Sequence, residues 1–198
     1  RDAGLVVYVD SGSTDGSVGL AEGLGVQVVK LDMSVPFTAA RARNAGYRAA
    51  LQADPGLRYI QFVDGDCELV AGWLAEAAAF LDGAPKVGAV TGRRRERFPE
   101  RSPYNELCDM EWAVRPGASN YFGGDVMIRT SALVGAGGYR DSLIAGEEPE
   151  LALRMRRLGW AIHVLDRDIT LHDANMLRFR QWWLRMKRSG YAYAEGAW

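Results

Sequence analysis

Asp64 and Asp66 flank one glycine at the end of the apolar run Tyr59-Ile60-Gln61-Phe62-Val63. Two carboxylates this close repel each other unless a cation lies between them. Oxygen donors suit Mg2+ or Mn2+, and such ions usually bridge to substrate phosphates. Gly65, without a side chain, lets a ligand approach the backbone. The pattern predicts a metal that holds a phosphorylated substrate. Asp-Gly-Asp is also good turn chemistry, so the pair draws its weight from what surrounds it.

Other candidates are spread along the chain. Asp15, in the polar loop Ser11-Gly12-Ser13-Thr14-Asp15-Gly16-Ser17, is either a helix cap or a ligand contact. Arg41 and Arg43 share a helix with Asn44. A guanidinium there suits a diphosphate or is an ordinary surface cation. Gly123 and Gly124 precede Asp125, and a glycine pair marks close approach of backbone or ligand. Glu147 and Glu148 open a helix, where the dipole favours negative charge and Pro149 fits the first turn. His163 falls inside an apolar strand and reads as structural, whereas His172 follows that strand.

These residues need a scaffold, and the hydrophobic pattern supplies one. Strands are expected over 5–10, 26–31, 59–63, 87–91, 125–129 and 161–165. Helices are expected from about 17 to 24 (closed by Gly25), over 39–53 (capped by Thr38 and ended before Pro55), 72–81, 103–114, 130–135, 147–158 and 179–188. The run Arg93-Arg94-Arg95-Glu96-Arg97 reads as a solvated strand end or loop. Alternating strands and helices imply an α/β fold with a largely parallel sheet. Ligands bind such a sheet at the C-terminal tips of its strands, which is where Asp10, Asp64 and Asp66 fall.

The chain has 198 residues, enough for one domain or most of one, and 48% hydrophobic with 25% charged residues is ordinary for a globular protein. A net charge of -1 gives no general affinity for nucleic acid. Cys67 and Cys108 match no metal-ligand spacing and no disulfide framework, and read as reduced, buried residues of a cytoplasmic protein. No run of about 18 apolar residues and no signal peptide is visible. The chain does not begin with Met, and it reads as a fragment of a longer protein.

Five motifs stand in order: Asp10-Ser11-Gly12-Ser13-Thr14-Asp15-Gly16, Ala42-Arg43-Asn44-Ala45-Gly46, Asp64-Gly65-Asp66, Phe122-Gly123-Gly124-Asp125 running on to Gly137-Gly138-Tyr139, and Gly146-Glu147-Glu148-Pro149-Glu150. This series, from about Leu5 to His172, resembles the family 2 glycosyltransferases, which have the GT-A fold. The resemblance implies an enzyme that moves a sugar from a nucleotide diphosphate donor, such as a UDP- or GDP-sugar, to an acceptor hydroxyl, mostly with inversion. It implies donor contacts from Asp10, Arg43, Asp64, Asp66 and Asp125, with Ser11 where many relatives carry a second Asp. Asp66 is the implied Mg2+ or Mn2+ ligand, with Asp64 on the ribose or a metal-bound water and His172 completing the metal shell. Glu148 matches the general base that takes the acceptor's proton, and Glu147 is the alternative. A nucleotide-binding half over about 1–92 and an acceptor half over about 93–176 are expected, then a basic aromatic helix over 177–198.

That tail, with Trp182 and Trp183 among five basic residues, either packs on the domain and reaches the donor diphosphate or lies on an anionic membrane surface. The family's first strand would precede Leu5 and sit between the strands ending at Asp10 and Asp64. Its absence predicts a gap in the sheet, poor stability for these 198 residues and a parent about 30 residues longer at its N-terminus. Family-level expectation places such enzymes in bacterial polysaccharide or envelope glycan synthesis, with saccharide or lipid-linked acceptors. Two other functions compete: a sugar-phosphate nucleotidylyltransferase, against which the Gly146–Arg154 segment argues, and a carbohydrate- or nucleotide-binding module without catalysis.

Overall fold

The structure, a computed structural model, describes residues 4–195. It holds two sheets. The smaller pairs Val7–Asp10 (β1) in parallel with Gln27–Lys30 (β2), joined through Ser17–Gly23 (α1). Ala39–Ala53 (α2) packs against β1, where a Cβ added at Gly46 would lie 2.9 Å from Val9 Cγ2. Thr38 starts α2 by accepting the Arg41 amide on its hydroxyl at 3.1 Å.

The larger sheet is built from Tyr59–Phe62 (β3), Cys67–Leu69 (β4), Val87–Glu96 (β5), Gly117–Ser119 (β6), Val126–Arg129 (β7) and Ala161–His172 (β8). Its order is β3-β7-β5-β8-β4, with β6 also on β8. The expected α/β class holds, with a mixed sheet. Parallel pairing joins β5 to β8, and the other contacts are antiparallel. β1 and β3 belong to separate sheets, so the strands ending at Asp10 and Asp64 are not neighbours.

Side chains alternate across the larger sheet. Ala89, Val126, Ile128 and Ile162 face a core closed by α2, Thr130–Gly135 (α5) and Glu147–Arg157 (α6). Val90, Met127 and Ile169 face the opposite way, onto Trp73, Ala77 and Leu81 of Trp73–Gly83 (α3). Pro103–Glu111 (α4) is capped by Ser102, whose hydroxyl accepts from the Asn105 amide at 3.0 Å. Phe179–Glu195 (α7) stacks on it through Tyr104, Phe179 and Trp182. Residues 196–198 of the expected tail lie outside the described residues.

Two strands run further than the hydrophobic pattern suggests, and both extensions matter for the site. β5 continues through the basic run to Glu96, and β8 continues to His172, which therefore ends a strand instead of following one. The charges are satisfied by ion pairs: Arg93 with Asp166 and Asp168 across on β8, Arg95 with Asp109 on α4, and Arg97, just past the strand, with Glu68 on β4. Of the expected solvated strand end or loop, the structure has the strand end, which ion pairs to its charges make acceptable. β4 and β6, each three residues long, carry too little periodicity to be seen in the sequence.

Candidate functional site

The loop after β3 carries Asp64 and Asp66 past the start of β7 to the tip of β8. Asp64 is held from two sides, by Arg43 Nη2 at 2.8 Å and Arg94 Nη2 at 2.9 Å. Burial alone would raise its carboxyl, but the two guanidinium groups outweigh it and hold Asp64 below the usual carboxylate range. Arg43 reaches onward with Nη1 to Glu147 at 2.7 Å and Glu148 at 3.1 Å, and lies over the Tyr139 ring. One guanidinium therefore joins the aspartate loop to the start of α6. Arg41 instead wraps the carbonyls of Asp32, Val35 and Pro36.

Glu147 and Glu148 occupy the first turn of α6, behind Gly146 in the left-handed region (φ 81°). Burial raises the Glu148 carboxyl, Arg43 opposes the rise, and the neighbouring Glu147 adds to it. Asn44, one residue past Arg43, fixes this arrangement. Its amide donates to the Tyr139 carbonyl at 2.7 Å and to Asp141 at 2.6 Å, and its oxygen accepts from the Tyr139 amide at 2.9 Å.

Asp125 is a buried strut. One oxygen accepts the Asp64 amide at 3.1 Å; the other accepts Arg94 Nε at 2.7 Å and the Thr170 hydroxyl at 2.6 Å. At 3% exposure it has no free face for a donor hydroxyl, so the expected donor contact gives way to a structural one. Gly124 lets the chain pass here: a Cβ would run into Asp64 Oδ2 and lie 2.8 Å from Arg43 Nη2.

Asp66 points away from that cluster. Its Oδ2 lies 3.1 Å from His172 Nε2, and its side chain is 59% exposed. The hydrogen bond from His172 outweighs the opposing effect of burial and lowers the Asp66 carboxyl. On the far side of the ring, His172 Nδ1 is buried without a hydrogen bond, 3.7 Å from the fully buried Glu96. Trp112 meets the ring edge-on at 4.7 Å. One accessible carboxylate beside one imidazole nitrogen fits Mg2+ or Mn2+, which take few protein ligands and fill the rest with water and phosphate. The donor set of Asp66 and His172 thus suits the implied ion, while Asp64 is spent on two arginines. A groove of about 520 Å3 opens beside Asp66, lined also by Cys67, Arg97, Arg101 and Asp173.

Asp10, Ser11 and Asp15 stand apart, on the smaller sheet and its loop. The Asp10 carboxylate accepts the Gly12 and Ser13 amides, and the Ser13 hydroxyl above all, helped by these amides, holds it below the usual carboxylate range. Asp15 accepts both the amide and the hydroxyl of Ser17 in a local turn just ahead of α1, whose N-cap position is Gly16. Ser11 is exposed. His163 is structural, packed on Phe80 at 4.7 Å.

Three residues of the site were not singled out from the sequence. Arg94 is 19% exposed and clamps both Asp64 and Asp125. Alternation along β5, which sends Arg93 and Arg95 to one face and Arg94 and Glu96 to the other, is the signal that would have found it. Glu96 sits behind His172 for the same reason. Cys67 is half-buried, not buried, and lies with Asp66 and His172 in one donor group. Burial raises its thiol. Among the described residues no helix is long and apolar enough to cross a membrane.

The Glycosyl transferase family 2 model matches residues 5–140 of the chain. No curated protein matches it. Among solved structures, the chain is similar to the mannosyltransferase PcManGT from Pyrobaculum calidifontis in complex with GDP-Man and Mn2+, at 21% identity and a TM-score of 0.68, covering 97% of this chain and 54% of that one. S. aureus TarS 1-349 in complex with UDP gives 17% and 0.65, covering 85% and 51%. Glucosyl-3-phosphoglycerate synthase from Mycobacterium tuberculosis, in complex with Mn2+, uridine-diphosphate and glucosyl-3-phosphoglycerate, gives 18% and 0.51, covering 86% and 61%. The chain spans about half the length of the first two, at 54% and 51%. These likenesses establish the GT-A type of α/β fold.

Proposed function

The chain belongs to glycosyl transferase family 2, and from that membership we propose that it contributes the metal-binding and base-bearing parts of an inverting, metal-dependent transferase. The donor is a UDP- or GDP-sugar and the acceptor a saccharide or lipid-linked hydroxyl, in bacterial polysaccharide or envelope glycan synthesis. One observation carries the reading: Arg43 ties Asp64, two residues from the Asp66–His172 pair, directly to Glu147 and Glu148. In this reading that contact joins the metal end of the site to its base end.

In this reading Asp66 and His172 hold Mg2+ or Mn2+, with Asp64 on the donor side. The ion would neutralise the diphosphate and stabilise it as it leaves. Glu148 takes the proton of the acceptor hydroxyl as that oxygen attacks the anomeric carbon, with Glu147 as the alternative base. Burial suits Glu148 to the task, because a raised carboxyl is a stronger base. Arg43 orients both glutamates and turns to the diphosphate when the donor enters. Asp10, Ser11 and Asp15 line the nucleotide side, with Asp125 bracing the donor pocket from behind. Residues 93–176 form the acceptor half, and 1–92 the nucleotide half. The protein works in the cytoplasm with α7 packed on the domain through Tyr104, Phe179 and Trp182; a peripheral contact with the cytoplasmic membrane face, through the exposed Leu177, Trp183 and Leu184 among Arg178, Arg180 and Lys187, is the second reading.

The deciding experiment measures binding and hydrolysis of a panel of UDP- and GDP-sugars by the full-length parent, with and without Mn2+. Mn2+-dependent binding that disappears in Asp66→Ala is expected. Donor binding that ignores both metal and Asp66 would overturn the metal reading, and no binding to any sugar nucleotide by the folded parent would overturn the transferase reading.

A further inference from the structure

β4 and β8 are antiparallel, and their register sets Cys67 directly opposite His172. Directly opposed residues project to the same face with Cβ atoms about 4.5–5.5 Å apart. Asp66 precedes Cys67, and its carboxylate comes back to the same place. His172 Nε2 lies 3.1 Å from Asp66 Oδ2, and Cys67 Sγ donates to Asp66 Oδ1 at 3.7 Å. The three donor atoms lie within 4.8 Å of one another. Donors around a tetrahedral ion held at about 2.0–2.3 Å are separated by roughly 3.3–3.6 Å, so small side-chain movements bring all three onto one centre. The group borders the groove shared with Arg97 and Arg101, which gives an ion a way in.

The chemistry of this donor set differs from that of two carboxylates. Mg2+ and Mn2+ prefer oxygen and bind thiols weakly, whereas sulfur with imidazole and carboxylate is a zinc set. Asp64 and Asp125 also lie near Cys67, but Arg43, Arg94 and Thr170 already occupy their oxygens. Asp66, Cys67 and His172 are the donors left over.

We propose that Asp66, Cys67 and His172 form a three-donor site for a thiophilic divalent ion of the Zn2+ class, overlapping the place assigned above to Mg2+ or Mn2+. The site itself follows from the β4–β8 register, and only its consequence, exclusion of the activating ion, rests on the proposed function. On binding, the Cys67 S–H bond breaks, a metal–sulfur bond forms and the proton passes to solvent, with no change of oxidation state. Three protein donors leave one open position on a tetrahedral ion, where Mn2+ would keep several for water and diphosphate. Zn2+ therefore holds the site in a form that competes with turnover.

The test uses Co2+ as a spectroscopic stand-in, added to the full chain without nucleotide. Wild type is expected to develop a thiolate-to-cobalt absorption band in the near ultraviolet that one equivalent of Zn2+ removes. The band persists in Cys108→Ser, whose cysteine lies in α4, and vanishes in Cys67→Ser and Cys67→Ala. Zn2+ affinity in these Cys67 variants falls by at least the 10- to about 100-fold that loss of even an outer-shell partner costs. No thiolate band in folded wild type, or a band that survives in Cys67→Ser, overturns the proposal. Mn2+ binding followed by electron paramagnetic resonance separates the two readings. Retention of bound Mn2+ in Cys67→Ser, with the cobalt band lost, is the expected pattern. A cobalt band in a wild type that binds no Mn2+ leaves the zinc site standing and removes the transferase metal instead.

Discussion

At Glu148 two opposing influences meet on one carboxyl. Burial raises it and Arg43 restrains the rise. The folded value therefore stays above the ordinary 4.5. Its favourable contribution to folding is fully present below that pH and is lost as pH rises through the folded value. With Glu148 as the proposed base, the same shift is expected to place the acid limb of the pH–kcat/KM profile above the value of a free glutamate. Glu148→Gln is expected to lower kcat by about 100- to 10,000-fold, the usual worth of a general base, while donor binding measured by calorimetry stays within a few-fold. An equal loss in Glu147→Gln, with Glu148→Gln active, would reassign the base. Gly124 makes a second residue-scale prediction. A methyl group there collides with Asp64 and crowds Arg43, so Gly124→Ala should cost about 1–3 kcal/mol in urea unfolding, the usual price of overpacking.

The strands decide how the charges of the basic run are used. β5 turns Arg94 inward to the buried Asp125 and leaves Arg95 44% exposed beside Asp109. Removing Arg94 strands a buried carboxylate, and Arg94→Met should cost about 3–5 kcal/mol. Arg95→Met should cost no more than about 1 kcal/mol, because solvent screens its pair. Equal effects on the two midpoints of chemical denaturation would contradict the inward–outward division. The same division explains what the sequence made legible. Asp64, Asp66, Arg43 and the Glu147–Glu148 pair each sit in a contiguous motif, so residue type and local spacing identify them. Arg94, Glu96 and Cys67 acquire meaning from partners 30 to 105 positions away, as Arg94 with Asp64 (94 − 64 = 30) and Cys67 with His172 (172 − 67 = 105). Strand register creates those pairings, and a single sequence does not encode register in any local signal.

Across the whole molecule, α2 spans two sheets that do not pair with each other. Its one side meets Val9 of β1, and Ala40 and Tyr47 enter the core of the larger sheet. Asn44 anchors it to the 139–141 segment by bonds to the Tyr139 backbone and the Asp141 carboxylate. Asn44→Ala removes these bonds from a site 1% exposed, and a loss of about 1–3 kcal/mol in urea unfolding is expected. An unchanged midpoint would mean that α2 is held by its apolar contacts alone. The α/β order of elements was readable because each long helix and central strand carries its own periodicity. The division into two sheets was not, since it depends on which strands lie side by side.

Asp125 fastens three segments at once: the Asp64 amide beyond β3, Arg94 on β5 and Thr170 on β8. An alanine survey scored by turnover alone would rank it beside Glu148, although its carboxylate is spent on these three segments. The two losses have different signatures. Asp125→Ala should appear first as poor expression and early melting, with activity per folded molecule falling because the aspartate loop drifts. Glu148→Gln should express and melt like the parent and fail only at the chemical step.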